Sequence, residues 1–523
     1  MKATRFWRYL SAGALAMTTF SVLQPALAED GEAILNAKCK VCHLPDAGGA
    51  LSRISQQRKT PEGWLMSIAR MQIMHGLQID DDDRRTLVKY LSDKQGLAPA
   101  ETDGMRYAME RRLNTVEQFD DQLAQMCARC HSGARVALQR RSAKEWEHLV
   151  HFHLGQWPSL EYQSMARDRD WLEIALKDVV PDLASRYPLD DPAWAEWQKA
   201  WPEVSALAGQ WSFSGHMPAR GDVNGVMSVK GSSGDTFQIA LEGRYADGKP
   251  LTGKGTAILY SGHEWRATLD IDGVSMRQVF SVVNNEMSGR MFETEHDERG
   301  LDFVAAKAGE ARLLAVQPGY LRAGGEAELS LVGNGLAGKP DFGAGVQVLE
   351  VLEQTPERVR VKVRAAADAA PGNRAVAFGQ LEGANLAVYK EIGEIKVVPE
   401  FSIARVGENG GATPKVQGRF EAEAWGTDAA GKSYRIGFLP ATWSVEPFDE
   451  RAAEDEDVKF AGTMRKDGVF VPGDAGPNPA RRMSTNNAGN LKVIAAVEDG
   501  GQSLKGEGQL IVTVQRWNNP PLP

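Results

Sequence analysis

The chain changes its hydrophobic rhythm once. From about residue 30 to 200, Trp, Leu and Met recur every three to four positions between charged runs, and Val/Thr alternation is sparse. That periodicity predicts helices. Asp80 to Asp83 reads as the capped start of one helix, with Leu87, Val88, Tyr90 and Leu91 as its buried stripe. Gly96-Leu-Ala-Pro-Ala100 breaks the pattern, and a second helical unit begins near Thr102. Beyond Trp201 glycine becomes frequent and period two takes over, as in Arg266 to Ile271 and Val359 to Arg364. Asp247-Gly248, Asp272-Gly273 and Asp467-Gly468 stand at hairpin-like positions. Everything from about 205 to the C-terminus is therefore predicted to be antiparallel β.

All four cysteines fall in two Cys-x-x-Cys-His motifs, Cys39-Lys-Val-Cys42-His43 and Cys127-Ala-Arg-Cys130-His131. This is the attachment pattern of c-type haem. Two thiols add across the porphyrin vinyl groups, and the following histidine becomes the proximal iron ligand. A thioredoxin-like pair or half of a zinc site does not require histidine after both pairs. Cys39, Cys42, Cys127 and Cys130 are thus expected to hold two covalently bound c-type haems, with His43 and His131 on the irons. Each helical unit carries one motif near its start. The predicted fold class is multidomain, α then β. Tandem helical cytochrome-c-like modules (about 29–98 and 102–200) make up a domain over 29–204. A β-barrel over 205–309 follows, then immunoglobulin-like β-sandwiches over 310–400 and 401–523, the last with a C-terminal tail. The acidic run Glu454 to Asp457 reads as a solvated loop.

The N-terminus agrees with haem attachment. Lys2, Arg5 and Arg8 precede an apolar stretch, Leu10 to Leu23, that is too short and too rich in Ser and Thr to span a membrane. Ala26-Leu27-Ala28 is a small-x-small cleavage site, so residues 1–28 read as a signal peptide cleaved after Ala28. Covalent haem attachment follows export. No later stretch approaches the ~20 apolar residues of a membrane helix, and the expectation is a soluble periplasmic protein. Without the three signal-peptide cations the net charge moves from −9 to about −12. This excludes nucleic acid as a natural partner and leaves room for a basic or mixed-charge redox protein. The haems leave no cysteine for a disulfide, so stability must come from packed cores, and 523 residues provide for several.

Low-spin haems that only carry electrons keep both axial positions filled, with methionine raising the potential and a second histidine lowering it. Downstream of each motif a tryptophan opens a similar helix, Gly63-Trp64 and Glu145-Trp146. Aligned on these tryptophans, Ile68 matches Val150, and Met71 matches His153. Trp64, Ile68 and Met71 share one helical face, as do Trp146, Val150 and His153. Met71 and His153 are the preferred sixth ligands. Met66, Met74 and His75 compete in the first unit, His75 lying one turn past Met71. His148, His151 and Met165 compete in the second. A Met/His difference would give the two haems different potentials and make the pair a directed relay.

No catalytic apparatus accompanies the haems. His216, His263 and His296 are scattered through the β region and read as surface or turn residues. There is no Gly-x-Gly-x-x-Gly opening a helix, no Walker loop and no His-Glu-x-x-His. No propeller repeat appears that would hold a quinone. The substrate is expected to be oxidised on another polypeptide.

The order of signal peptide, two Cys-x-x-Cys-His units and three β domains, together with the Trp-to-ligand helices, closely resembles the α subunits of quinohaemoprotein amine dehydrogenases. The resemblance covers essentially the whole mature chain. It implies a dihaem domain, a barrel and two immunoglobulin-like domains, assembled with a β-propeller subunit and a small γ subunit. The γ subunit would carry cysteine tryptophylquinone, which oxidises primary amines to aldehydes. Electrons would then pass through the haems to an external acceptor, a blue-copper protein or a cytochrome c. The family's pairing of one His/Met with one His/His haem agrees with Met71 and His153 without fixing them. Other classes remain open at this point. They are a free-standing dihaem carrier, a dihaem peroxidase needing a five-coordinate iron under acid/base groups, and a β scaffold with a cytochrome appended.

Overall fold

The computed structural model describes residues 27–162, 167–409 and 413–514. The signal peptide read from the sequence, save its last two residues, and Met165 lie outside them. The first expectation to be corrected is that of two tandem helical cytochrome-c-like modules. Strand takes 43% of the molecule and helix 24%, and the haem-motif region does not resolve into two helical bundles. Its centre is a two-stranded antiparallel ribbon, β1 (Gln57–Lys59) against β2 (Gln139–Arg141), that pairs one half of the region with the other in the register Gln57↔Arg141, Arg58↔Arg140, Lys59↔Gln139. Strands this short carry no alternation to read. What the periodicity did mark is present. The helix Asp81–Lys94 is capped by the Asp80 side chain, which accepts from Asp83 N–H at 2.8 Å, and it buries Leu87, Val88 and Leu91.

The next eight strands close into a barrel: β3 (Gly209–Met217), β4 (Gly221–Ser233), β5 (Thr236–Tyr245), β6 (Pro250–Tyr260), β7 (Glu264–Ile271), β8 (Val274–Val283), β9 (Glu286–Glu293) and β10 (His296–Lys307). Each strand pairs antiparallel with the next, and β10 returns to β3 from Asp302↔His216 to Lys307↔Trp211. Alternate residues point inward, as period two demands. Trp211, Phe213, Phe237, Trp265, Phe280 and Phe303 fill the interior, and Phe303 stacks on Phe213 and Phe280 at 4.9 and 4.7 Å. Burial of each large apolar side chain contributes about 1.5–3 kcal/mol, so this barrel is a packed core and not a ligand chamber. At Gly255 a Cβ would stand 2.0 Å from the Thr268 carbonyl, which is why a side chain is missing there.

Two further β regions follow. In the first, a four-stranded sheet containing Glu326–Asn334 and Arg358–Ala365 joins a second one containing Gly372–Phe378 and Leu381–Tyr389, over a core of Leu329, Leu331, Val359, Val361, Val376 and Leu386. The last region has sheets of three, four and three strands. The wholly antiparallel prediction fails at two strands. Tyr320–Arg322 pairs parallel with Leu381–Tyr389, and Phe401–Arg405 pairs parallel with Gln502–Thr513. Each adds to the edge of its sheet, and alternation alone does not encode direction. The acidic run is a turn between two short helices, exposed at Glu454 and Glu456, and departs from a solvated loop at Asp457, which is buried against Arg481 at 2.6 Å and the Asn490 N–H at 2.9 Å.

The barrel buttresses the haem-motif region. Arg266 on β7 bridges Glu62 at 2.6 Å and Glu264 at 2.8 Å, and Arg106 reaches Glu264 at 2.7 Å. Glu264 is 1% exposed and the adjacent His263 is 0% exposed, so His263 is a core residue and not a surface one. Burial opposes ionisation of Glu264, but Arg106 and Arg266 outweigh it and hold its carboxyl well below the usual range. His216 likewise joins Asp222 at 2.7 Å to Glu421 at 2.6 Å, tying the barrel to the last β region. Among the described residues no helix is long and apolar enough to cross a membrane.

Candidate functional site

Each Cys-x-x-Cys-His motif follows a helix that relaxes into a π turn. Leu27–Ile34 runs into Leu35–Cys39, and Asp121–Leu123 runs into Ala124–Ala128. Such turns are rare and gather at functional sites. In the first motif Cys42 and His43 N–H both donate to the Cys39 carbonyl, at 3.1 and 2.9 Å; in the second Cys130 N–H donates to Cys127 at 3.3 Å. Each motif so presents one half-buried thiol, Cys39 or Cys127, and one exposed thiol, Cys42 or Cys130, and none is in a disulfide. Burial pushes the Cys39 thiol up and the Cys127 thiol up to about 12.

The histidines after the cysteines are oriented alike. His43 Nδ1 lies 2.8 Å from the Ser52 carbonyl and His131 Nδ1 lies 2.9 Å from the Ser132 carbonyl. A carbonyl only accepts, so Nδ1 carries the proton in each ring and Nε2 is left with a free lone pair. This is the arrangement that orients a metal-bound imidazole. Burial lowers the basicity of His131, which favours the neutral, ligating form.

The helices opened by the tryptophans are launched in parallel fashion from the two ribbon strands. After β1, Thr60 Oγ1 accepts from Gly63 N–H at 3.2 Å and opens Pro61–His75; after β2, Ser142 Oγ accepts from Glu145 N–H at 3.3 Å and opens Ala143–Gln156. Trp64 and Trp146 are buried, their indole N–H groups donating to Gln95 and Tyr187 carbonyls at 3.0 and 3.3 Å. Ile68 and Val150 are buried beyond them. His153 then faces His131 with ring centroids 6.4 Å apart and planes at 33°. Its Nδ1 is 2.8 Å from the Leu149 carbonyl, leaving Nε2 free. Two imidazoles sharing one metal through bonds of about 2 Å place their centroids roughly 6 Å apart. The pair therefore fits an iron held from both sides. His151 is exposed beside Glu147 at 3.9 Å. In the first half Met71 is half-buried on the Trp64 and Ile68 face but makes no hydrogen bond to His43, while Met74 and His75 are exposed. Met66 Sδ accepts from Arg135 at 2.9 Å.

Sequence reasoning missed the charged residues that brace these elements. On one face of the ribbon Arg58 and Arg140 share Glu101, at 2.8 and 3.0 Å; on the other Arg141 meets Glu145 at 3.0 Å, and Glu145 also takes Arg53 at 2.6 Å. The loop after His131 is held by Glu117, which accepts from Ser132 Oγ, Tyr107 OH at 2.9 Å and Gly133 N–H at 2.8 Å. Burial opposes the Glu117 charge, but these donors outweigh it and hold the carboxyl below its usual range. A signal for the ribbon does exist: Gln57-Arg58-Lys59-Thr60 before Trp64 repeats as Gln139-Arg140-Arg141-Ser142 before Trp146. Among the described residues no group of three or more His, Cys, Asp or Glu is placed to hold a metal ion.

Four family models match the chain in succession. One described as "Quinohemoprotein amine dehydrogenase A, alpha subunit, haem binding" covers 29–194 as a single unit. Those for alpha subunit domains II, III and IV cover 204–308, 310–390 and 395–522. No curated protein matches the chain. Among solved structures, a redesigned β-barrel, mFAP1, bound to DFHBI is 18% identical, over 20% of this chain and 97% of that one, with a TM-score of 0.19. Mouse clustered PcdhgC3 EC1-3 is 9% identical, over 54% and 77%, at 0.16, and the zebrafish RET cadherin-like domains 1 to 4 are 10% identical, over 58% and 66%, at 0.18.

Proposed function

The chain belongs to the family of quinohemoprotein amine dehydrogenase alpha subunits, matched in all four of its domains, and from that premise we propose that it is the dihaem electron-transfer subunit of such an enzyme. Family membership makes it a haem-binding subunit of an oxidoreductase that has other subunits. Beyond that, the reading is as follows. Two c-type haems are attached covalently, one at Cys39 and Cys42 with His43 on the iron, the other at Cys127 and Cys130 with His131. Met71 and His153 complete the two irons. A propeller subunit and a small subunit carrying a tryptophylquinone assemble with this chain, and primary amines are oxidised there to aldehydes and ammonia. The electrons leave through the haems to a blue-copper protein or cytochrome c, in the periplasm, after cleavage of the signal peptide at Ala28.

The observation that carries this reading is the facing pair His131 and His153, both with Nδ1 tied to a carbonyl and Nε2 free, beside two thiols at the spacing of a haem attachment motif. A haem bound there supplies a one-electron centre. The chain's own task is to fix its orientation and its charge environment so that little rearranges on reduction. Trp146 and Val150 lock the helix that presents His153, and Ser132 with Glu117 locks the loop that presents His131. The dispersed histidines of the β region support placing amine oxidation on another chain, since His216 is held between Asp222 and Glu421 and His263 is buried beside its neighbour Glu264.

Native purification from the periplasm tests the reading, with intact mass and haem spectra recorded before and after a primary amine. Two covalent haems, co-purifying subunits and amine-driven reduction are expected. A lone chain whose haems ignore amines would overturn the enzyme assignment and leave a dihaem carrier.

A further inference from the structure

The ribbon between the two halves carries more positive charge than its carboxylates neutralise. Strand alternation sends Arg58 and Arg140 to one face, where Glu101 grips both. The opposite face presents Lys59 and Arg141, 6% and 4% exposed. Arg53 approaches from the first half. Arg70, on the Pro61–His75 helix, and Arg135, on the Ala134–Ala137 helix, complete the group. These five cations act on one another electrostatically, and only Glu145 pairs with any of them, meeting Arg53 and Arg141. Lys59 turns to a neutral oxygen, Ser67 Oγ at 2.6 Å.

Arg70 and Arg135 stand out. Among the described residues neither makes an ion pair. The Arg70 guanidinium lies 4.8 Å from the centroid of the Phe152 ring, and Arg135 donates to the thioether of Met66 at 2.9 Å. A thioether is a weak acceptor and an aromatic face leaves the charge in place. Like charges gathered around the buried Lys59 and Arg141 repel, and an anion joining them relieves that repulsion. Arg70 lies over Phe152, the neighbour of His153 on its helix, and Arg135 follows His131 by four residues. They come from opposite halves of the domain and converge on one iron site.

We propose that Arg70 and Arg135 form a two-armed clamp for the propionate carboxylates of the haem held between His131 and His153. The clamp rests on the dihaem reading and adds to it the residues that set this haem's orientation and charge. Guanidinium forks match carboxylates bidentately and stay charged at any working pH. Positive charge near the iron favours the reduced form, so the clamp raises the potential that two histidines would otherwise lower. Because Arg70 is on the helix of the first half, that half helps set the second haem.

The test uses the full chain, matured with haem in a periplasm. Covalent haem is counted by pyridine haemochrome, and each haem is titrated by visible and EPR spectroscopy. Arg135 is exposed, so Arg135→Gln is expected to fold and load both haems. In it the reduction equilibrium of the second haem should fall about tenfold, which is ~59 mV for a one-electron couple, with the low-spin spectrum intact. Arg70→Gln should act in the same direction, the double variant should exceed either, and Arg135→Lys should recover most of the loss. A purely structural role would not move the potential while leaving spectrum and haem content unchanged. Unchanged potentials in Arg135→Gln and in the double variant, with two haems bound, would overturn the clamp and leave the dihaem reading standing. A wild-type chain without covalent haem would overturn the dihaem reading itself.

Discussion

The two halves of the haem-binding region are built from the same parts and finished differently. Each has a π turn, a Cys-x-x-Cys-His motif, a ribbon strand, a hydroxyl cap and a buried tryptophan in fixed order. In the second half the position two turns past the tryptophan is His153, facing His131 among Phe152, Trp157 and Trp171. In the first it is Met71, and the surroundings are open: Val41, Leu44, Ile73 and Met74 are more than half exposed. A shared scaffold fixes where an iron can sit. The residue at one position and the depth of burial then set what that iron does. On the proposed reading, methionine as sixth ligand would raise the potential of one haem and paired histidines would lower that of the other. On the proposed dihaem reading, the difference would give electrons a direction without changing the backbone.

The largest effect expected from breaking that comparison is at the sixth ligands. His153→Ala should turn one haem high-spin and leave the other low-spin, by EPR. Met71→Ala should remove the sulfur-to-iron band at the red end of the visible spectrum while the His131 haem is unaltered. A band that survives in Met71→Ala would remove Met71 from the iron and turn attention to His75, one turn on.

Next in size is the seam. If the halves were independent modules, a substitution in one would leave the other alone. Glu145 comes from the second half, is 2% exposed, and holds Arg53 from the first. Glu145→Ala should cost about 3–5 kcal/mol, because it leaves the buried Arg141 without its carboxylate. Denaturant unfolding followed at the two haem spectra should show both halves weakening together. Weakening confined to the second half would mean that the ribbon does not couple them.

How much of this was legible follows from the range over which each feature is encoded. The haem motifs, the Asp80 cap and the barrel hairpins are local, and the sequence displays them directly. Gly248 and Gly273, for example, adopt positive φ of 81° and 83° at the predicted Asp-Gly turns. The tryptophan register is equally local, since Trp146, Val150 and His153 recur at helical spacing. The ribbon was not read, because three residues cannot show alternation and their partners are far away in sequence, although the repeated Gln-Arg-basic-hydroxyl string announced it. Parallel pairing at Tyr320–Arg322 and Phe401–Arg405 is a property of chain path and not of composition. Glu117, Glu145 and Glu101 were unreadable as single carboxylates among many. Their role exists only once Ser132, Arg141 and Arg58 are brought to them.

The smallest expected effect separates the two motif loops themselves. Glu117 gathers Ser132, Gly133 and Tyr107 behind His131, whereas the first loop closes on Asp46, which accepts from Gly48 and Ala50 N–H within its own turn. The Glu117 carboxyl is held below its ordinary 4.5. A group depressed on folding contributes stability that is present above its unfolded value and is lost as pH falls through the folded one. Acidification below about pH 4.5 should therefore loosen the second loop, read as a change in the His131 haem spectrum. Glu117→Gln keeps an acceptor oxygen but no charge. It should cost no more than about 1 kcal/mol at neutral pH and should flatten that acid dependence. An acid response of the second haem that is unchanged in Glu117→Gln would assign it to another group, and would leave burial and the identity of the sixth ligand as the differences between the halves.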